Sequence, residues 1–305
     1  MLKMGVIGLG DIAQKAYLPV YSKIKDVEFH FYTRNQEKLH SIGSQYRFDH
    51  LHGSLESLIE SGIKGAFIHS STSTHEEIAH QLLQHNIHVF VDKPITDQYE
   101  GTKRLVDLAE EKGLTLMTGF NRRYAPTYMK LKEVKDANMV IIQKNRKGQP
   151  GEPRTFIYDD FIHVVDTMRY LFPHPIENLI VNGRMEGDKL YHVVVQFISG
   201  GATAIGIMNR DNGTNEEMAE VMGPLEKRTV SNVSKLVISK DMEAIEVRSS
   251  DWEPTLFRRG FEQMITDFIG AVGTNNKPRF SSFDALETHE ICEKIISKLT
   301  KVVEV

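Results

Sequence analysis

The chain has 305 residues, of which 40% are hydrophobic and 26% are charged, and its formal net charge is −4. This composition is typical of a globular protein long enough for two domains with separate cores. The charge balance argues against nucleic acid and against an anionic membrane as partners, since both favour a basic surface. A single cysteine, Cys292, excludes an internal disulfide. We find neither a signal peptide nor an apolar run of about 18 residues, so we expect a cytoplasmic protein.

The first predicted strand is Met4–Ile7, an unbroken apolar run typical of buried parallel strands. A glycine turn and a helix start follow it, formed by Gly8, Gly10, Asp11, Ile12 and Ala13. In this G-x-G-x-x-A pattern the first glycine permits a tight turn and the second lets a diphosphate approach the backbone. The N–H groups at the helix start would face the phosphates. A plain strand–turn–helix is the alternative, but the position of the motif favours a dinucleotide site.

The helix after the turn is predicted from Asp11 to Lys25, and Pro19 within it predicts a kink or two short helices. The next strand, Val27–Tyr32, leads into Thr33 and Arg34. An NAD site usually has Asp or Glu at this distance from the glycines, bonded to the ribose 2′-hydroxyl. Arg34 instead suits a 2′-phosphate. We therefore expect NADP or NAD as the cofactor, with NADP favoured; a solvated Arg34 and bound NAD is the alternative.

The following strand, Ala66–His69, ends in small hydroxyl residues, at the edge where open α/β sheets bind ligands. We expect cofactor contacts from Ser70, Ser71 and Thr72. His75 begins or precedes a helix that runs to His85. It is a further candidate for the cofactor site, and a helix-capping role is the alternative.

The strand Val89–Val91 delivers Asp92, Lys93 and Pro94. Lysine is seldom buried unless it is paired, so this placement indicates a function. Beside the nicotinamide, Lys93 would assist proton transfer, and both Asp92 and Lys93 are assigned to the cofactor site. A salt-bridged structural lysine is the alternative. Pro94 also predicts a cis peptide bond after Lys93.

Helices are predicted over Gln36–Gln45, Leu55–Glu60 and Tyr99–Lys112, and a strand over Thr115–Thr118. This β/α alternation predicts a doubly wound parallel sheet of the Rossmann type in a dinucleotide-binding domain, residues 1–122. Asn121 leaves the last strand and is assigned to the cofactor site.

Residues 123–305 are predicted to form a substrate-binding and oligomerisation domain. It begins with a helix over Pro126–Lys135 and a strand over Met139–Arg146. The following loop is basic, with cations at Lys144, Arg146, Lys147 and Arg154. A solvated flexible loop is the simpler interpretation, and a lid that recognises an acidic substrate is the alternative.

A second chemical centre is predicted in the helical stretch from Tyr158 to Leu171. Its apolar residues recur at helical spacing and should be buried, namely Phe161, Val164, Val165, Met168 and Leu171. Asp159, His163 and Asp166 recur at intervals of four and three, so they should share another face. A histidine held beside carboxylates is a plausible general base. Chelation of a metal by Asp159 and His163 and a purely structural histidine are alternatives; with no further ligand cluster evident, we expect no metal.

Seven strand-like segments without intervening helices follow: 176–185, 190–198, 202–208, 214–221, 225–230, 235–238 and 243–247. They should pair mostly antiparallel in a large open sheet. One face of such a sheet would be left for a subunit interface, so we expect a homo-oligomer, a dimer or tetramer. Helices over Leu256–Val272 and Phe283–Lys301 close the chain.

With these residues in hand, the chain resembles the Gfo/Idh/MocA family of nicotinamide-dependent oxidoreductases, closest to its MviM branch. The resemblance rests on Gly8–Ala13, on Asp92-Lys93-Pro94, similar to the Glu-Lys-Pro signature, and on the Asp159, His163 and Asp166 spacing. It implies a Rossmann domain followed by an α/β domain whose open sheet mediates oligomers. It also implies Lys93, Asp159 and His163 as catalytic residues. Phe161 stands where the family usually has glycine, which is expected to narrow the pocket or change the preferred substrate.

The function expected is an NAD(P)-dependent dehydrogenase or reductase. It would transfer a hydride between the nicotinamide and a secondary hydroxyl or keto group of a sugar, polyol or related small molecule. A cofactor-binding sensor or regulatory protein without turnover is the alternative. Such a sensor would keep the glycine turn but would need no Lys93, Asp159 and His163 together.

Overall fold

The structure is a computed structural model that describes residues 1–302. The strands are β1 Leu2–Ile7, β2 Val27–Tyr32, β3 His50–His52, β4 Gly65–Ile68, β5 His88–Val91, β6 Leu116–Thr118, β7 Met139–Asn145, β8 Asn178–Glu186, β9 Lys189–Ser199, β10 Ala202–Asn209, β11 Glu216–Met222, β12 Lys227–Ser231, β13 Lys235–Lys240 and β14 Glu243–Val247. The α-helices are α1 Leu18–Tyr21, α2 Gln36–Tyr46, α3 Leu55–Glu60, α4 His75–Gln84, α5 Tyr99–Glu111, α6 Pro126–Leu131, α7 Pro153–Phe156, α8 Ile162–Leu171, α9 Thr255–Arg258, α10 Phe261–Thr274 and α11 Ser282–Val302. Among these described residues, no helix is long and apolar enough to cross a membrane.

The chain divides into two compact units. The first comprises Met1–Gly119 and Phe261–Glu287, and the second comprises Phe120–Gly260 and the chain from Thr288 onward. The expected division at residue 122 left out the return of the segment 261–287 to the first unit. This return has a clear cause, because Phe268 of α10 is fully buried with its ring 4.9 Å from that of Phe67. Apolar contact with the sheet therefore holds the segment.

The first unit contains a parallel sheet of six strands in the order β3-β2-β1-β4-β5-β6. The predicted doubly wound sheet is confirmed. Sequence reasoning missed β3, because His50-Leu51-His52 is short and carries no apolar run. The expected helix over Asp11–Lys25 is an uninterrupted helical stretch that contains a π-helical turn, Ala13–Tyr17, and continues directly into α1 with Pro19. The stretch is thus irregular next to Pro19 but is not divided into two helices, and the expected end at Lys25 is wrong.

The second unit contains an eight-stranded sheet in the order β14-β13-β12-β11-β7-β10-β9-β8. All neighbours are antiparallel except β10 and β7, so the predicted large, mainly antiparallel sheet is confirmed. α8 packs on β7 and β10, where Gly206 leaves room for the Met168 side chain.

Three predicted element bounds in the second half are wrong. The helix from Pro126 ends at Leu131 rather than Lys135. The basic loop ends earlier than expected, because α7 already begins at Pro153. The predicted single helix over Leu256–Val272 is broken at Gly260, whose φ of +82° is not helical and which lies against the carbonyl of Asn121.

Candidate active site

A cleft of about 760 Å³ opens in the first unit where β1, β2 and β4 end. It brings together much of the predicted cofactor site, namely Gly8, Gly10, Asp11, Ile12, Thr33, Arg34, Ser70 and Ser71. This edge of a doubly wound parallel sheet is where nucleotide ligands bind, and β1 lies where the strand order reverses.

The two glycines of the turn are required for different reasons. Gly8 has a φ of +88°, and a Cβ there would lie 2.5 Å from the Ser70 backbone nitrogen, so the fold itself requires glycine. A Cβ on Gly10 would meet only the His69 carbonyl oxygen, at 4.0 Å. Nothing in the protein packing therefore demands glycine at position 10. The open space above it fits a bound diphosphate.

Sequence reasoning missed several residues of this cleft, including Lys38, His69, Glu77 and Gln81. Lys38 lies in the first turn of α2, where its backbone N–H donates to the Asn35 side chain at 2.8 Å. Lys38 lines the same cleft as Arg34, so two cationic side chains lie at the end of the cleft beside Thr33. The Asn35 helix cap was the signal that could have drawn attention to Lys38.

Five residues assigned to the cofactor site lie outside the lining of this cleft, namely Thr72, His75, Asp92, Lys93 and Asn121. Thr72 begins a 3₁₀ turn that leads into α4. His75 is buried, with its Nδ1 2.9 Å from the Pro94 carbonyl oxygen and its Nε2 3.0 Å from the Ser70 carbonyl oxygen. These contacts tie the end of β4 to the segment after β5. They are not a helix cap, since the N-cap of α4 is Thr74 and no side chain caps it, so the capping alternative for His75 is not found.

The segment after β5 carries Asp92 and Lys93 next to the cis peptide bond that Pro94 predicted. Asp92 is buried, and burial raises the pKa of its carboxyl group. Its Oδ1 accepts the backbone N–H of Lys93 at 2.8 Å. The same oxygen lies against Gly119, where a Cβ would approach it to 2.8 Å. The backbone that presents Lys93 is thus fixed by a buried carboxylate.

In the second unit, Asn121 is buried and its Nδ2 donates to the Arg259 carbonyl oxygen at 2.8 Å. The nearby Arg123 is also buried, and its Nη2 donates to Asp166 at 2.7 Å. The hydrogen bonds of Asn121 and Arg123 stabilise the local fold of the second unit. The cofactor role expected for Asn121 remains a prediction.

The predicted catalytic pair lies at the junction of a π-helical turn, Ile157–Phe161, and α8. Asp159 is exposed and His163 is half-buried, whereas Asp166 is buried in its ion pair with Arg123. The three residues thus differ in exposure, and the expectation that they share one face remains a prediction.

The five apolar positions expected to be buried in this stretch are buried, including Phe161, which has no exposed surface. The Phe161 ring therefore contributes to the core of the second unit. Its expected effect on the substrate pocket remains a prediction.

A group of charged side chains, here called the charged cluster, surrounds Asp160 and Glu217. Asp160 pairs with Lys144, with Arg146 at 3.0 Å and with Arg210 at 3.2 Å. The basic loop expected from sequence is thus only partly a loop, because Lys144 is a buried residue of β7 and Arg146 is held by a carboxylate.

The second carboxylate of the charged cluster, Glu217, lies directly opposite Lys144 in the β11–β7 register. Its Oε2 accepts from Arg122 Nη2 at 2.6 Å, and its Oε1 accepts from the Tyr128 hydroxyl at 2.9 Å. Arg122 holds the pKa of Glu217 down, to about 2, against the effect of burial. Burial lowers the pKa of Lys144 to about 7, although Asp160 opposes this shift.

The charged cluster therefore joins four cationic side chains to two carboxylates. The cations are Arg122, Lys144, Arg146 and Arg210. Buried charge without a counter-charge is costly. Arg210 Nε is in addition buried without a hydrogen-bond partner among the described residues. Sequence reasoning named Lys144 and Arg146 but missed Asp160 as the residue that gathers them.

Known proteins resemble this chain in sequence and in fold. The Gfo/Idh/MocA family model, described as an oxidoreductase family with an NAD-binding Rossmann fold, matches residues 2–120. A crystal structure of the dehydrogenase MviM from Clostridium difficile is 33% identical, with a TM-score of 0.93, and the match covers 97% of this chain and 99% of that one. The chain belongs to the Gfo/Idh/MocA oxidoreductase family.

Further matches of this Gfo/Idh/MocA protein extend to its second unit. A model described as the YceM-like C-terminal domain matches residues 126–241. The YceM protein of Salmonella typhimurium is 29% identical over 96% of this chain and 97% of its own length. The myo-inositol 2-dehydrogenase of Thermotoga maritima is 24% identical over 78% of this chain and 77% of its own length. The predicted family and an NAD(P) cofactor are thus confirmed.

Proposed function

We propose that this Gfo/Idh/MocA protein is a dehydrogenase or reductase that oxidises a secondary hydroxyl of a sugar, polyol or related compound, or reduces the corresponding ketone. The main observation behind the proposal is the cleft above Gly10. Protein atoms do not fill the space next to this glycine, so a bound cofactor can occupy it. The bound nicotinamide supplies the hydride acceptor or donor. The inositol dehydrogenase among the relatives supports the substrate class.

In this proposal three residues handle the substrate oxygen. His163 accepts the hydroxyl proton, Lys93 hydrogen-bonds the same oxygen, and Asp159 orients His163 or holds a neighbouring hydroxyl. The half-buried state of His163 supports its role, because the ring is accessible while its helix is anchored in the core. The backbone bond to Asp92 supports a fixed position for Lys93.

Replacement of the lysine tests this assignment. We expect Lys93→Met to lower kcat by at least about 10²-fold, as the loss of a general acid–base group does, with little change in cofactor affinity. Lys64→Met is the matched control, since Lys64 is an exposed lysine of the same unit. Near-normal turnover of Lys93→Met would remove this residue from the mechanism.

We further propose that NADP is preferred over NAD, because Arg34 and Lys38 both line the cleft. A guanidinium binds a 2′-phosphate through paired, charge-assisted hydrogen bonds. Arg34→Ala should weaken NADP binding by at least about tenfold, equivalent to about 1.4 kcal/mol, and should leave NAD binding nearly unchanged. Calorimetric titration with both cofactors measures the difference, and an equal loss for both would contradict the phosphate role.

The charged cluster favours a substrate that bears a carboxylate or phosphate group. Its excess positive charge lies on β7 and next to the ends of β7 and β10, and Asp160 joins it to the helical segment that carries Asp159 and His163. A panel that pairs each neutral sugar with its sugar acid would test this preference. Higher kcat/KM for the acids is expected, and equal values would contradict it.

The same panel separates the enzyme from the sensor alternative, which predicts cofactor binding without turnover of any compound. A homo-oligomer through the open face of the second sheet and a cytoplasmic location remain part of the proposal. Sedimentation of the purified protein tests the first, since a monomer at all concentrations would contradict it.

A further inference from the structure

Three potential metal ligands lie together on one face of the parallel sheet in the first unit. Glu28 and His30 are two residues apart on β2 and therefore point to the same side. His50, on the edge strand β3, is directly opposite His30 in the strand register. One side-chain oxygen or nitrogen of each residue lies within 4.8 Å of the others.

The distances within this group suit a shared ion. His30 Nε2 lies 2.8 Å from Glu28 Oε1, and His50 Nε2 lies 3.9 Å from Glu28 Oε2. Zinc bonds to histidine nitrogen and carboxylate oxygen are about 2.0–2.2 Å long, which places tetrahedral ligands about 3.3–3.6 Å apart. The two observed separations lie on either side of that range, so small side-chain rotations suffice.

A fourth residue, His52, orients His30 from behind. His52 Nε2 lies 2.9 Å from His30 Nδ1, and His52 Nδ1 lies 3.0 Å from Ser57 Oγ. Metal-ligating histidines usually donate their second ring N–H to such a partner. With an ion on His30 Nε2, the Nδ1–H of His30 would donate to His52, which would in turn donate to Ser57.

From this geometry we propose that Glu28, His30 and His50 bind a divalent transition-metal ion of the zinc class. Two imidazole nitrogens and one carboxylate oxygen match the donor preference of Zn²⁺. His50 is half exposed, so the ion can enter from solvent and keep a water in its remaining position. The ion would tie the edge strand β3 to β2.

The position of the site suggests what the ion would stabilise. β3 leads within a few residues to Leu55 and Glu56, which line the cofactor cleft. β2 leads to Thr33 and Arg34 on the same cleft. An ion that joins these two strands would therefore order the segments at the ribose end of the cleft.

The side chain of Lys3 would compete with a metal ion for the Glu28 carboxylate. Lys3 Nζ lies 3.4 Å from Glu28 Oε1 and is partly exposed. A bound ion would displace it. Without an ion, a hydrogen-bond chain from Ser57 through His52 and His30 to Glu28 satisfies the group by itself. The experiment must therefore separate a metal site from a hydrogen-bonded histidine cluster.

The test uses full-length protein stripped with a chelator and titrated calorimetrically with Zn²⁺, with Co²⁺ as a spectroscopic probe. We expect one Zn²⁺ per chain, and at least tenfold weaker binding by His50→Asn and by Glu28→Gln. His80→Asn is the matched control, because His80 is exposed on α4 of the same unit. It should bind like the wild type.

The cobalt spectrum adds a readout of coordination. Wild-type protein should give the intense visible bands of four-coordinate Co²⁺, and His50→Asn should lose them. The proposal is overturned if the wild type takes up no stoichiometric Zn²⁺, or if His50→Asn binds as tightly as His80→Asn. His50→Asn and His80→Asn both change exposed side chains, and far-ultraviolet circular dichroism verifies that the variants fold.

Discussion

Paired substitutions in the glycine turn separate the needs of the fold from the needs of the ligand. In Gly10→Ala the new methyl group meets no protein atom closer than the His69 carbonyl oxygen at 4.0 Å, and the φ of Gly10 is not positive. We therefore expect the free energy of unfolding to change by no more than about 0.5 kcal/mol. The methyl would nevertheless occupy the space where the diphosphate approaches the backbone.

The loss of cofactor affinity in Gly10→Ala can be estimated. Displacement of the diphosphate removes at least one hydrogen bond from a backbone N–H to a charged oxygen, which is worth about 1.5–3 kcal/mol. This corresponds to roughly 10- to 150-fold weaker binding. Calorimetric titration with the cofactor measures it, and thermal unfolding without cofactor serves as the stability control.

Gly8→Ala should behave in the opposite manner. A non-glycine residue in the left-handed region costs about 1–2 kcal/mol, and the clash with the Ser70 backbone adds about 1–3 kcal/mol of overpacking. The melting temperature should fall by roughly 2–4 °C for each kcal/mol lost. The reasoning is refuted if Gly10→Ala binds cofactor as well as the wild type, or if Gly8→Ala is as stable as Gly10→Ala.

Two further predictions concern stability. Burial lowers the pKa of Lys144 to about 7. Between pH 7 and about 10 the unfolded chain therefore binds more protons than the folded chain. The free energy of unfolding should rise with pH in this range, by up to about 1.4 kcal/mol per pH unit. Urea unfolding across this range should show the rise in the wild type and in Lys147→Met but not in Lys144→Met, and an unchanged slope in Lys144→Met would contradict the assignment. Phe268→Ala should cost about 3–5 kcal/mol by leaving a cavity beside Phe67, whereas Phe283→Ala, which alters a side chain that is 47% exposed, should cost much less; equal costs in chemical denaturation would show that α10 does not depend on this packing.

The parallel sheet of the first unit could be predicted because most of its strands have a recognisable local sequence pattern. Met4–Ile7 and Val89–Val91 are apolar runs, Val27–Phe31 alternates apolar and polar residues, and a glycine turn follows the first strand. The edge strand β3 could not be predicted in this way. Its His-Leu-His sequence carries no periodic signal, and its pairing with β2 depends on contacts across twenty residues of sequence.

The candidate site shows the same limit. Gly8, Gly10 and Arg34 share a cleft because each follows the end of a neighbouring parallel strand, which a pattern can predict. The ion pair of Asp166 could not be predicted, because its partner Arg123 lies 43 positions away in the sequence and only the folded chain brings the two together.

The histidine cluster was missed for a related reason. Glu28 and His30 belong to one strand and His50 to another, so only the register of β2 with β3 brings them together. Sequence reasoning therefore saw no further group of potential metal ligands, whereas the structure brings these three side chains together; the expectation that no metal is bound remains a prediction. Charge pairing across β7 and β11 in the charged cluster was hidden from sequence in the same way.

The account depends most on Lys93 and His163 acting on one substrate oxygen. The direct measurement is the rate of nicotinamide reduction by Lys93→Met, by His163→Asn and by the double variant, with cofactor saturating. Residues that act as a unit are strongly non-additive, so the double variant should lose little more activity than the worse single variant. Losses that multiply in the double variant would show that the two residues act independently and would contradict the proposed mechanism.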